Sequence, residues 1–147
     1  MTWASQVTPG SVRGTFELNR ADIEKLRKSV CPADDFSSKR ASTFSIICGY
    51  TWVCLEKARV VTSGKRAILG FSIDARSRLK HSIHPMYLGN FIAGRNVEAE
   101  TEELVGGNGV RLAAEAISET IRGLEDGVVN GAEAWASMMI NSEKTLL

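Results

Sequence analysis

The sequence predicts a mixed α/β domain in which helices pack on a sheet that the chain leaves incomplete. Three observations predict it. Residues 65–74 (KRAILGFSID) alternate with the two-residue period of a strand. Residues 21–30 and 110–124 instead repeat apolar side chains every three to four positions, as amphipathic helices do. Strand and helix patterns take turns along the chain, yet only three strand patterns are visible, and a three-stranded sheet keeps two edges. A strand such as AILGFSID expects neighbours on both sides.

Each element has a local reason. Residues 1–12 are small and polar, with Pro9-Gly10 marking a turn, and are expected to form a loose N-terminal segment. Thr15 and Glu17 alternate with Phe16 and Leu18, a short strand pattern over residues 13–18. Asn19 then stands where an N-cap belongs, and Ile23, Leu26 and Val30 line one helix face until Pro32 stops it. Residues 33–40 form a polar loop. Residues 42–59 (STFSIICGYTWVCLEKAR) are apolar on nearly every side until Glu56 and predict a buried helix. Ser42 would cap its start, and Lys57 and Arg59 suit its negative end.

In the strand over 65–74, Ala67, Leu69, Phe71 and Ile73 share one face. Residues 75–86 read as a loop and residues 87–98 as another strand, interrupted by Gly89-Asn90 and Gly94. Gly106-Gly107-Asn108-Gly109 punctuates the chain before a long helix with Val110, Ala113, Ile117, Ile121 and Leu124 on one stripe. Asp126-Gly127 breaks it, and a final helix is expected over residues 129–140.

Composition narrows the partners. A length of 147 residues suits one domain able to bury about 68–70% of its unfolded surface. Apolar residues at 44% and charged residues at 24% argue against a disordered chain. The net charge is +1 and no Lys/Arg run exceeds a pair (Lys39-Arg40, Lys65-Arg66), so no nucleic acid partner is expected. No apolar stretch approaches the ~20 residues of a membrane span, and residues 1–10 lack a secretory pattern, so no membrane partner is expected either. Cys31, Cys48 and Cys54 cannot all pair within the chain and match no zinc spacing; a cytoplasmic location with reduced thiols follows as the expectation.

Motifs in order then carry a resemblance. Ser42-Thr43-Phe44 opens a helix containing Trp52 and Cys54; Asp74-Ala75-Arg76-Ser77-Arg78-Leu79 follows; Tyr87-Leu88-Gly89-Asn90 comes next. These are similar to the S-[ST]-[FY], D-x-R-x-R-L and Y-F-G-N segments of the plant BAHD acyl-CoA-dependent acyltransferases. Residues 14–27 and 117–135 look most like the malonyltransferase branch, which acylates phenolic glucosides. One such motif is weak; five in register across residues 13–142 are specific.

The resemblance implies a fold like chloramphenicol acetyltransferase, two mixed α/β domains with a channel between them. It also implies acyl transfer from an acyl-CoA, malonyl-CoA in this branch, to a hydroxyl of a phenolic glycoside, by enzymes that are usually monomeric. In the family the histidine of an H-x-x-x-D motif takes the acceptor's proton, and a D-F-G-W-G motif supports the structure. Neither occurs here: His81 and His84 are the only histidines, and Pro85 and Leu88 stand four positions after them. Residues 13–142 therefore resemble the region between those motifs, with residues 143–147 as a tail and no catalytic residue of their own.

By resemblance Ser42, Thr43 and Phe44 line the pantetheine arm of coenzyme A, although Ser42 is also an ordinary N-cap. Arg76, with Arg78 as alternate, would pair with the aspartate of H-x-x-x-D; a solvated turn pairing locally with Asp74 is the plainer alternative. Tyr87, Gly89 and Asn90 would start a strand, Gly89 allowing close backbone approach. Leu88 replaces the family's phenylalanine, and a proline-rich P-P-[IL]-P is reduced to His81-Ser82-Ile83-His84 with a displaced Pro85. No metal is expected, since His81 and His84 lack a third ligand nearby. Cys48 and Cys54 are expected to be inert core thiols. The resemblance thus leads to an acyltransferase chain that does not turn over alone. The alternatives are a non-catalytic partner binding coenzyme A or an intact homologue, and an unrelated small α/β binding domain.

Overall fold

In the computed structural model the described residues are 10–30, 41–59, 64–79, 83–84 and 86–128. Helix α1 (Arg20–Val30) begins where the sequence places its cap. The Asp22 N–H donates to Asn19 Oδ1 at 3.1 Å and the Asn19 N–H to Asp22 Oδ2 at 3.2 Å, a reciprocal cap that satisfies two donors at once. Helix α2 (Thr43–Ala58) is capped by Ser42, whose hydroxyl accepts from the Ser45 N–H at 3.1 Å. Its buried residues Ser45, Ile46, Gly49, Trp52, Val53 and Glu56 recur at helical spacing, so one stripe rather than the whole cylinder is covered.

Strands β1 (Arg66–Asp74) and β2 (Ile92–Glu100) form an antiparallel pair running from Arg66↔Glu100 to Asp74↔Ile92. Gly94 pairs with Ser72 inside the ladder and does not interrupt it. A single 3-10 turn, Arg76–Arg78, follows β1. At the other end the Thr101 N–H and hydroxyl both donate to the Lys65 carbonyl, at 3.1 and 2.7 Å, where β2 gives way to α3 (Thr101–Val105). Five residues are too few to show a period, which is why that helix is missing from the sequence reading. Helix α4 (Gly109–Arg122) then starts so close to α3 that a Cβ on Gly109 would collide with the Leu104 carbonyl.

Three apolar clusters hold these parts together. Trp52, Val53, Ala67, Val97, Leu104, Ala113 and Ile117 form the central one, where α2 and α4 cover one face of the ladder. Val30, Ala41, Ile46 and Ala114 seat α1 against α2 and α4. Ala75, Ala93, Leu124 and Val128 close the far end. The predicted stripe of α4 is confirmed: Ala113, Ile117 and Leu124 are buried, and Val110 and Ile121 pack against the core.

Several expectations need correction. Residues 13–18 adopt no regular structure and Phe16 is 95% exposed. Alternation alone gives no ladder without a neighbouring strand to bond. Two strands rather than three occur among the described residues, so mixed helix and strand stands while the third strand falls. Tyr87, Gly89 and Asn90 precede β2 rather than start it. Cys54 lies on the exposed face of α2, and Cys48 is half-buried. The loop expected over 33–40 and the helix expected over 129–140 lie outside the described residues.

Candidate functional site

The candidate residues fall into two groups. The first is the start of α2. Ser42 has an extended backbone (φ −65°, ψ 156°), and its hydroxyl is committed to the cap and to the Ser45 hydroxyl, 2.9 Å away. Thr43 Oγ1 accepts from Arg27 Nη2 at 2.9 Å, and Arg27 Nη1 donates to the Ala41 carbonyl at 3.0 Å. One guanidinium therefore grips the residues on both sides of Ser42. Phe44, 44% exposed, sets its ring edge-on to Phe71 of β1, centroids 5.7 Å apart at 64°. Local pattern gives no hint of Arg27: in α1 it reads as an ordinary charge, and its acceptors lie fourteen and sixteen residues away.

The second group joins two separated motifs. Asp74 ends β1, and its Oδ1 accepts from the Arg76 N–H at 3.0 Å, which shapes the turn. Arg76 Nη1 stands 3.6 Å from Asp74 Oδ2, and Nη2 donates to the Gly89 carbonyl at 3.1 Å. Ala75 adds a backbone bond to the Phe91 carbonyl at 3.0 Å. The Tyr87 ring lies over Gly89, and a Cβ there would require this exposed ring to swing aside. With the Gly89 carbonyl taken by Arg76, this segment folds over itself instead of extending the ladder. Arg78 is half-buried in the 3-10 turn, its N–H donating to the Ala75 carbonyl at 3.1 Å; Asn90 is exposed.

The local Asp74–Arg76 pairing is the plainer of the two arrangements foreseen for this motif. Both side chains are largely solvated, so it contributes little to stability. The two groups do not share a face. Phe71, against which Phe44 rests, packs toward the helices, whereas alternation puts Asp74 on the opposite side of β1.

Among the described residues the other titratable groups add no second centre. Burial pushes the Cys48 thiol up. A hydrogen bond with Cys54 is the main cause of the raised Tyr50 phenol. Glu100 and Glu98 on the neighbouring strand hold the Arg66 guanidinium still more firmly protonated. His84 Nδ1 accepts from the Met86 N–H at 3.1 Å and serves a turn; His81 lies outside the described residues. Among the described residues no three His, Cys, Asp or Glu side chains gather as for a metal ion. Among the described residues no helix is long and apolar enough to cross a membrane.

Comparison with known proteins bears directly on these motifs. The sequence model of the Transferase family matches residues 4–145. The chain is 30% identical over 119 residues to "Phenolic glucoside malonyltransferase 1" of Nicotiana tabacum, covering 78% of this chain and 26% of that protein. It is 35% identical over 131 residues to "Malonyl-coenzyme:anthocyanin 5-O-glucoside-6'''-O-malonyltransferase" of Salvia splendens, covering 86% and 27%. It is also 33% identical over 141 residues to "Coumaroyl-CoA:anthocyanidin 3-O-glucoside-6''-O-coumaroyltransferase 2" of Arabidopsis thaliana, covering 90% and 30%. The chain thus spans between a quarter and a third of the length of these relatives.

Proposed function

Since this chain belongs to the Transferase family, the BAHD acyl-CoA-dependent acyltransferases, we propose that residues 13–142 supply one part of an enzyme that moves a malonyl group from coenzyme A to a hydroxyl of a phenolic glycoside. The observation that carries this reading is the Arg76 bridge, which brings the D-x-R-x-R-L and Y-x-G-N segments into one unit. Two relatives whose names specify malonyl transfer to phenolic or anthocyanin glucosides support the branch. The coumaroyltransferase shows that a similar segment serves another acyl-CoA.

In this reading the complete fold is like that of chloramphenicol acetyltransferase, acts as a monomer and works in the cytoplasm. Ser42, Thr43 and Phe44 face the acyl-CoA, while Asp74, Arg76, Arg78, Tyr87, Gly89 and Asn90 form a structural motif on the other side of β1. An imidazole outside residues 1–147 takes the proton of the acceptor hydroxyl; the oxygen attacks the thioester carbonyl, the C–S bond breaks, and the coenzyme A sulfur leaves with the proton. Neither His81 nor His84 is placed in an H-x-x-x-D motif.

Two incubations test this. The purified 147-residue chain with malonyl-CoA and a phenolic glucoside is expected to yield no malonylated product, and product above the blank overturns its catalytic dependence on other residues. Substituting residues 13–142 for the matching segment of the tobacco relative is expected to preserve malonyl transfer. A folded chimera without any transfer overturns the acyltransferase reading.

A further inference from the structure

We propose that Arg27 is a positioning residue for acyl-CoA: by occupying the acceptor side of Thr43, it turns the Thr43 hydroxyl into an outward hydrogen-bond donor. This rests on the reading that residues 42–44 face the acyl-CoA. The argument is one of donors and acceptors. A guanidinium has no lone pair to offer, so in the 2.9 Å contact Thr43 Oγ1 must accept. The hydroxyl's single proton then points away from Arg27.

Inside α4 hydroxyl protons are consumed by the backbone. Ser118 donates to the Ala114 carbonyl at 2.7 Å and Thr120 to the Ala116 carbonyl at 3.0 Å, each four residues back along α4. Thr43 is the first residue of α2, so no carbonyl of its own helix lies behind it. The Ser42 hydroxyl accepts the cap bond and shares a 2.9 Å contact with the Ser45 hydroxyl in which either oxygen can donate, so nothing fixes the direction of its proton. Of the two hydroxyls at the start of α2, Thr43 is therefore the one whose proton is directed, by Arg27, toward a carbonyl or phosphate oxygen of the ligand.

Arg27 is built for the task. Its Nη1 bond to the Ala41 carbonyl at 3.0 Å fixes the plane of the fork, and Glu24 stands 3.6 Å from Nε. Its side chain is only 25% exposed. A lysine ammonium has no planar pair of donors to span both acceptors.

The experiment titrates malonyl-CoA into the isotope-labelled 147-residue chain and follows the amide resonances of Ser42 to Ser45, in wild type, T43V, T43S, R27A and the R27A/T43V double variant. Saturable shifts are expected in the wild type and in T43S. T43V and R27A are expected to weaken binding by a similar factor, roughly three- to tenfold for one lost hydrogen bond, and the double variant no further. R27K in both Thr43 backgrounds replaces R27A if circular dichroism shows R27A unfolded. A wild type without saturable shifts overturns the reading that residues 42–44 face the acyl-CoA, and this inference with it. Binding in which T43V equals wild type overturns the inference alone. So does an Arg27 effect that persists unchanged in the T43V background, because Arg27 would then act through the fold and not through Thr43.

Discussion

Where α2 crosses α4, an atom added at Gly49 would lie 2.9 Å from the Ala114 nitrogen; at the far end of the hairpin, Leu88 stands 98% exposed. The two regions are held by different physics. The helix crossing excludes water around Trp52, Ala113 and Ile117, and its contacts are many and individually weak. The motif end has a smaller apolar cluster, Ala75, Ala93, Leu124 and Val128, and adds to it a few solvated polar contacts radiating from Arg76. Asp74, Arg76, Tyr87 and Asn90, the polar signature residues of the hairpin end, are thus not those that bury surface in this chain. Folding is concentrated in the helix crossing, and recognisable chemistry in the hairpin end.

That contrast can be broken, most sharply at its packed side. Trp52→Ala should cost about 3–5 kcal/mol by removing a fully buried aromatic. Denaturant unfolding followed by circular dichroism measures it, and a loss below about 1 kcal/mol would move the weight of the fold elsewhere. Gly49→Val should cost roughly 1–3 kcal/mol, because the backbone of α4 has to give way. Ser42→Ala should cost about 1 kcal/mol, with Ser42→Asp restoring most of it by capping equally well; no recovery would mean that Ser42 acts as more than a cap. Arg76→Ala should change stability by less than about 1 kcal/mol. It should nonetheless speed hydrogen exchange in residues 89–91, and unchanged exchange would deny the bridge its ordering role. Smallest is a labelling difference along α2. Burial favours the neutral Cys48 thiol, so its alkylation should lag behind that of exposed Cys54 and require higher pH. Equal rates mapped by mass spectrometry would erase the distinction between the two faces.

Legibility followed the range of the forces. Capping by Asn19 and Ser42, the alternation of β1 and the stripe of α4 are set by neighbours within four residues, and all were readable. The expected strand at 13–18 had a correct pattern, but a ladder needs a second edge, and alternation does not report whether one exists. Tyr87–Asn90 was misjudged for a related reason. Its Gly89 carbonyl accepts from a guanidinium thirteen residues away and the Tyr87 ring lies over that glycine, contacts that alternation does not report. Cys54 was misplaced because residues 42–55 are apolar nearly all round, so only the packing partners decide which side is covered. The family motifs located both candidate groups; the Arg27 grip on Thr43, a contact across sixteen residues, left no mark in any local pattern.

Lys65 offers one oxygen to two donors of Thr101, the residue at which extended backbone turns helical. A slide of the ladder by two positions would still leave Arg66 a carboxylate to meet, since Glu98 and Glu100 sit two apart, so charge alone does not forbid it. The doubled bond does, because any slide would have to drag α3 along. Hairpin and α3 should accordingly come apart in a single step, as one cooperative block whose weakest seam lies elsewhere.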